Sequence, residues 1–205
     1  MTTNESHINV VIVVSGASGT GKSTICDRLV EANENLVYNV SCTTRAPRGN
    51  EVDGVDYLFL SRDAFEAKVK AGEFLEHAEY VGNYYGTLKS TILESLESNK
   101  DVIMDIETQG ASILRKKVAT WNDNDLVKRG YIDIFILPPS LDALRQRLEN
   151  RQEDLPEVIE IRIRSAEKEI SEAPNYLINV VNNDLEDCIA EMQERVEAER
   201  CKRSM

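Results

Sequence analysis

Gly16-Ala17-Ser18-Gly19-Thr20-Gly21-Lys22-Ser23 fits the pattern GxxxxGK[ST], and its flanks constrain the fold as strongly as its letters. Residues 10–15 before it are a short β-branched run, read as a buried parallel strand. After it, residues 23–33 carry Ile25, Cys26, Leu29 and Val30 on one helical face. Strand, glycine-rich turn and helix is the context this motif requires. The glycines let the loop curl so that successive backbone N–H groups point inward, and the new helix adds the positive end of its dipole. Such a cradle takes phosphate. Lys22 can reach β- and γ-phosphates, and the Ser23 hydroxyl can ligand Mg²⁺.

The rest of the chain alternates strands and helices. Strands are expected at residues 36–42, 55–60, 74–80, 101–105, 131–137 and 177–181. Helices are expected from the Ser61 cap to Ala71-Gly72, then over 88–98, 112–118, 141–150, 156–173 and 185–202, with a turn at 82–86. Residues 119–128 read as a surface excursion. The pattern predicts an α/β fold with a parallel sheet flanked by helices. Between about 36 and 90 consecutive short strands break the rhythm and predict an inserted lobe. The expected single domain spans 8–200, with its core at about 8–35, 100–139 and 174–200 and a lid at about 140–173.

Composition excludes several classes of partner. With 24 Lys+Arg against 36 Asp+Glu the net charge is −12, which argues against nucleic acid and against a membrane surface held by a basic face. No apolar run approaches the roughly 18 residues of a membrane span. The first nine residues lack the basic region of a secretory signal, and four cysteines without CxxC spacing read as free thiols, so a cytoplasmic protein is expected.

Around Pro47 the segment Thr43-Thr44-Arg45-Ala46-Pro47-Arg48 brings two arginines together, with Tyr57 soon after. Guanidinium forks match phosphate oxygens, so a phosphorylated acceptor is one reading. A solvated loop whose arginines pair with Glu51 and Asp53 is the other. Asp105 ends an apolar strand, either as an acid near a metal or as a cap of the next helix.

Taken together, these pieces resemble the guanylate kinases over nearly the whole chain. The specific matches are 16–24, 43–48 with Glu51 and Asp56-Tyr57, Gly72-Glu73-Phe74-Leu75-Glu76, and Gly82-Asn83-Tyr84-Tyr85-Gly86-Thr87. Asp105-Ile106-Glu107-Thr108-Gln109-Gly110-Ala111, Pro138-Pro139-Ser140, the arginines 147, 151 and 162, and Val181-Asn182-Asn183-Asp184 complete them. The resemblance implies a P-loop fold and transfer of phosphate from ATP to GMP with Mg²⁺, dGMP being left open as a second acceptor. Carried over, Gly16, Ala17, Ser18, Gly19, Thr20, Gly21, Lys22, Ser23, Thr24 and Asn182 would hold ATP. Arg45, Arg48, Tyr57 and Tyr85 would hold the GMP phosphate, with Glu51 and Asp105 in the same pocket. Glu76 and Glu107, helped by Cys42 and Thr87, would read guanine. Lys22, Arg45, Arg151 and Arg162 would be catalytic, and Ser23 and Asp105 would hold the metal, partly through water.

Chemistry supports a carboxylate in that role, because guanine presents N1–H and an exocyclic amine as adjacent donors. The sequence departs from the family at Cys42 (usually Ser), at Glu107 (usually Asp), at Gln152-Glu153-Asp154 and in the longer 121–128 segment. Two other readings stand beside the enzyme: a guanylate-kinase-like protein-binding module, and a P-loop kinase for another phosphorylated small molecule. The intact Gly21-Lys22-Ser23 disfavours the module, and Glu76 with Tyr85 and Thr87 favours GMP.

Overall fold

The computed structural model describes residues 8–150 and 155–204. Strand β1 (Val11–Gly16) is the middle of a five-stranded parallel sheet. Its neighbours are β7 (Asp101–Asp105) and β8 (Tyr131–Leu137), and β2 (Leu36–Tyr38) and β9 (Ile178–Val181) form the edges. Because successive side chains point to opposite faces, β1 divides its apolar residues between two cores. Ile12 and Val14 meet Ile25 and Leu29 of α1 (Lys22–Glu31) and Met192 and Val196 of α8 (Leu185–Ser204). Val11 and Val13 pack with Ile92 of α3 (Lys89–Glu97) and Leu114 of α4 (Thr108–Ala119) on the other face. Burial on both faces is why these strands read as unbroken apolar runs.

A second sheet holds β3 (Cys42–Thr43), β4 (Leu58–Phe59), β5 (Phe74–Tyr80) and β6 (Asn83–Leu88), in the order β4-β3-β6-β5. Its own core is Cys42, Phe65 and Phe74, with Phe65 supplied by α2 (Arg62–Lys70). Ser61 caps α2 by accepting from the Ala64 N–H, as the sequence predicts. A third cluster joins Leu144 and Leu148 of α6 (Leu141–Asn150) to Ile159, Ile163 and Ala166 of α7 (Pro156–Ile170), and touches Ala17. Among the described residues no helix is long and apolar enough to cross a membrane.

Several local expectations change. The single strand expected at 36–42 is two strands in different sheets, so Leu36–Tyr38, placed with the lobe in the sequence reading, edges the larger sheet. The strand expected at 55–60 shrinks to Leu58–Phe59. The turn is Val81-Gly82, both at positive φ, and most of 82–86 is strand. Helix α4 begins at Thr108, because Gly110 serves the close approach of another side chain, described below, and does not break the helix. Part of the 119–128 excursion folds into α5 (Leu126–Gly130), capped by Asp125. Helix α7 stops at Ile170, ahead of a 3₁₀ turn at Ala173–Asn175.

At the amino end of β7, Asp101 is buried. It accepts from the Val10 N–H at 2.8 Å and pairs with Arg200 at 2.5 Å, tying α8 to the sheet. Removing the Asp101 carboxylate leaves the Val10 N–H without its acceptor and loosens Arg200, which keeps its pair with Glu197 at 3.0 Å. Asp101→Ala is therefore expected to cost about 1–3 kcal/mol in urea unfolding while kcat is preserved at low urea. A loss below about 1 kcal/mol, the range of exposed pairs, would show that the contact is not a structural tie.

Candidate active site

The sheet's chain order reverses at β1, with β7 on one side and β8 on the other. In such sheets ligands bind outside the carboxyl ends of the strands at this switch point. Gly16, Asp105 and Asn182 sit at three of those ends. The loop after β1 is held from within by Thr20, whose hydroxyl donates to the Ala17 carbonyl at 2.8 Å. It is braced from outside by Asn182, whose side-chain amide donates to the Thr20 carbonyl at 2.8 Å. Lys22 Nζ reaches back to the Gly16 carbonyl at 2.7 Å. Gly21 is the N-cap of α1 at φ 91°, with no side-chain cap for the helix's first turn. A Cβ there would lie 2.8 Å from Asn182 Nδ2, so only glycine fits. The uncapped N–H groups of Lys22, Ser23 and Thr24 thus open a helix whose positive end favours an anion.

Asp105 faces this loop. The Ser23 hydroxyl donates to its Oδ2 at 3.0 Å, and the Tyr38 hydroxyl donates to its Oδ1 at 2.5 Å. Burial and the Asp105 charge push the Tyr38 phenol well above its ordinary range, so it stays a donor. With the Ser23 proton committed to Asp105, the serine lone pairs remain for a hard cation. Among the described residues no group of three or more His, Cys, Asp or Glu side chains gathers to hold a metal. An oxygen pair of this kind suits Mg²⁺, which is held by one or two protein groups together with water and substrate phosphates.

Across from the loop lies the second sheet's contribution. Arg45 forms a bidentate pair with Glu51, 2.8 Å on each arm, and its guanidinium carbon lies 5.2 Å from the centre of the Tyr57 ring. Glu51 also accepts from the Arg48 N–H at 2.7 Å. Its carboxylate is held below the usual range, chiefly by Arg45. Glu51 therefore organises the arginine loop. Tyr57 and Tyr85 meet edge to face at 6.0 Å, and burial pushes the Tyr57 phenol up to about 12.

Glu76 is buried by a bulge. The β5–β6 register shifts between Phe74 and Glu76, so three consecutive residues, Phe74, Leu75 and Glu76, are buried where simple alternation would expose one. The Thr87 hydroxyl donates to Glu76 Oε1 at 2.8 Å. Gly110 makes room for the other oxygen, since a Cβ there would meet Glu76 Oε2 at 2.8 Å. Burial raises the Glu76 carboxyl to about 7, against the lowering effect of Thr87 and Lys117.

Two placements differ from the sequence reading. Cys42 does not reach the cavity; its side chain is 1% exposed in the apolar cluster with Phe65 and Phe74. Alternation along the strand turns Ser41 the other way, and Ser41 lines the cavity. Thr87 is fully buried behind Glu76 and acts by holding it.

From the lid side, Arg162 of α7 reaches Ser18 Oγ at 3.3 Å. Glu169, two turns further along the same helix, has its carboxyl raised to about 7 by burial and by Glu107. Arg147 donates to the Asn182 carbonyl at 2.7 Å and so braces the loop from behind. Arg151 lies outside the described residues.

One cavity of about 600 Å³ is lined by Lys22, Asp105, Arg162, Glu107, Arg45, Arg48, Tyr57, Tyr85 and Glu76. Residues from separate stretches of the chain share it, within the size range of small-molecule sites. Sequence reasoning missed Ser41, Tyr38 and Glu169. A period-two count from Cys42 could have found Ser41; nothing local marks Tyr38, which sits in an apolar strand.

Comparison with known proteins gives the same picture. A family model described as guanylate kinase matches residues 9–199. A guanylate kinase of Clostridium perfringens strain SM101 is 42% identical over 202 residues, covering 97% of this chain and 89% of that protein. One from Halalkalibacterium halodurans is 42% identical over 199 residues, covering 97% and 93%. The crystal structure of guanylate kinase from Anaplasma phagocytophilum superposes with a TM-score of 0.73 at 30% identity, over 95% of this chain and 87% of that one. With a family model spanning almost all of it and relatives this similar along their length, the chain belongs to the guanylate kinase family.

Proposed function

We propose that the protein transfers the γ-phosphoryl group of ATP to GMP, giving ADP and GDP, in the cytoplasm. The observation that carries this reading is one cavity that joins an uncapped phosphate loop to a buried, glycine-accommodated carboxylate. Relatives at 42% identity bearing the name guanylate kinase support it.

Ionised Glu76 accepts from guanine N1–H and the exocyclic amine, Glu107 offers a second acceptor, and the Ser41 hydroxyl donates to the guanine carbonyl. Adenine carries an acceptor at N1 and would leave the carboxylate facing a lone pair. Arg45 and Arg48, with the hydroxyls of Tyr57 and Tyr85, hold the GMP phosphate, and Glu51 keeps the Arg45 fork oriented beforehand. Lys22 and the first-turn amides of α1 take the ATP phosphates. Ser23 and Asp105 would hold Mg²⁺, which supplies neutralising charge to the phosphate oxygens.

An oxygen of the GMP phosphate attacks the γ-phosphorus in line. Its bond to that phosphorus forms as the bond to the β–γ bridging oxygen breaks, and the electron pair leaves with ADP. No covalent enzyme intermediate is needed. Charge spreads over the equatorial oxygens in the transition state, where Arg162 and Arg151 contribute cations. Closure of the lobe and α7 over the cavity excludes water that would otherwise hydrolyse ATP.

The primary test is ADP release with GMP, dGMP, AMP, CMP and UMP offered in parallel. A response confined to guanine nucleotides is expected; equal rates with all acceptors, or no GDP formed, would refute the assignment. Lys22→Ala is expected to lower kcat by at least about 100-fold with an unchanged circular dichroism spectrum. Glu76→Gln should reduce the GMP-over-AMP ratio of kcat/KM by about 100-fold, and an unaltered ratio would remove Glu76 from base reading.

GMP binding also carries a pH signature. Below pH 7 the raised Glu76 carboxyl is protonated and presents a donor to guanine's donors; above it the carboxylate accepts both. GMP affinity measured by calorimetry should therefore rise from pH 6 to pH 8, and the rise should be smaller in Glu76→Gln, which leaves only the ionisation of the GMP phosphate and of Glu169.

A further inference from the structure

Tyr38 is the last residue of edge strand β2, in register with Ile103 of β7. Its ring packs against the apolar cluster around Ile103, and its hydroxyl reaches Asp105, the residue two further along β7. A diagonal neighbour on an adjacent strand lies about 7–8 Å away, a span only a long side chain bridges. The 2.5 Å separation is that of a hydroxyl donating to a charged oxygen. Ser23 donates to the other oxygen, so each arm of the carboxylate has its own donor.

The terminal torsion of an aspartate is broad, and one hydrogen bond leaves the group able to swing. Two donors, from β2 and from the phosphate loop, leave it one orientation. Each oxygen then has lone-pair capacity to spare, because an ionised carboxylate has about four acceptor sites in all.

We infer that Tyr38 is a positioning residue: with Ser23 it pins Asp105 in one orientation, so that the carboxylate's remaining lone pairs are presented to the metal site beside Ser23. The inference rests on the phosphoryl-transfer reading and adds a residue to it. Without the phenol, one of the two donors is lost and the carboxylate is free to turn away from that orientation.

The variant Tyr38→Phe deletes one oxygen and keeps the ring that packs on Ile103. Its kcat should fall about 10–100-fold, as for loss of a group that orients a metal-site residue, with GMP affinity by calorimetry unchanged. On an Asp105→Asn background the same substitution should cost nothing further, because its effect passes through that carboxylate. A loss of the same factor on both backgrounds, or retention of wild-type kcat by Tyr38→Phe, would overturn the inference.

A second readout needs no turnover. In the nucleotide-free protein the Tyr38 hydroxyl proton should give a downfield, slowly exchanging NMR resonance, absent in Tyr38→Phe and shifted in Asp105→Asn. Absence of that resonance from the wild type would overturn the contact even if Tyr38→Phe folded poorly. Absence of GDP formation in the wild type would instead remove the functional reading and leave the resonance to decide the contact.

Discussion

A helix that starts without a side-chain cap is the constraint around which this molecule is arranged. Gly21 opens α1 at the carboxyl end of the central strand, and the donors of its first turn have no side-chain partner there. Left in a packed interior, such donors would be costly. They are tolerated at a switch point in the strand order, where a cavity opens beside the loop. Loop shape is imposed from outside as much as by its glycines: Asn182 from the end of β9 holds the Thr20 carbonyl, and Arg147 holds Asn182. The cradle is thus the joint product of β1, β9 and α6.

The acceptor side solves the opposite problem, a carboxylate where water is scarce. A bulge buries Glu76, Thr87 donates to one oxygen, and Gly110 on α4 withdraws its own bulk from the other. Desolvation then outweighs these contacts and lifts the carboxyl to about 7. A group poised there is incompletely satisfied by the protein alone. In the proposed function the adjacent donors of guanine would complete its hydrogen bonding, a physical basis for choosing one purine.

Net charge works against the substrates. At −12 the chain as a whole repels polyanionic nucleotides. Screening shortens that field to about 8 Å in physiological salt, so the cations that line the cavity, Lys22, Arg45, Arg48 and Arg162, set the local potential there. Glu51 anchors Arg45 by a bidentate pair while Tyr57 packs against the guanidinium, which fixes the orientation of the fork.

The motif at 16–23, the apolar runs of β1, β7 and β8 and the Ser61 cap were readable from residue order because each rests on neighbours within a few positions. The same local information placed Lys22, Ser23 and the Arg45–Arg48 pair, and the resemblance placed Glu76. Register and long-range contact lay beyond it. Whether Ser41 or Cys42 faces the cavity depends on how a two-residue strand pairs with β6, and Tyr38 meets Asp105 only because β2 leaves the lobe to edge the parallel sheet. Sequence alone determined the phosphate cradle and the alternating architecture, since helix starts, strand burial and turn chemistry act through adjacent residues. The tertiary structure decided which polar side chains converge on one cavity, because partners 67 positions apart, such as Tyr38 and Asp105, are brought together by sheet pairing that no local pattern records.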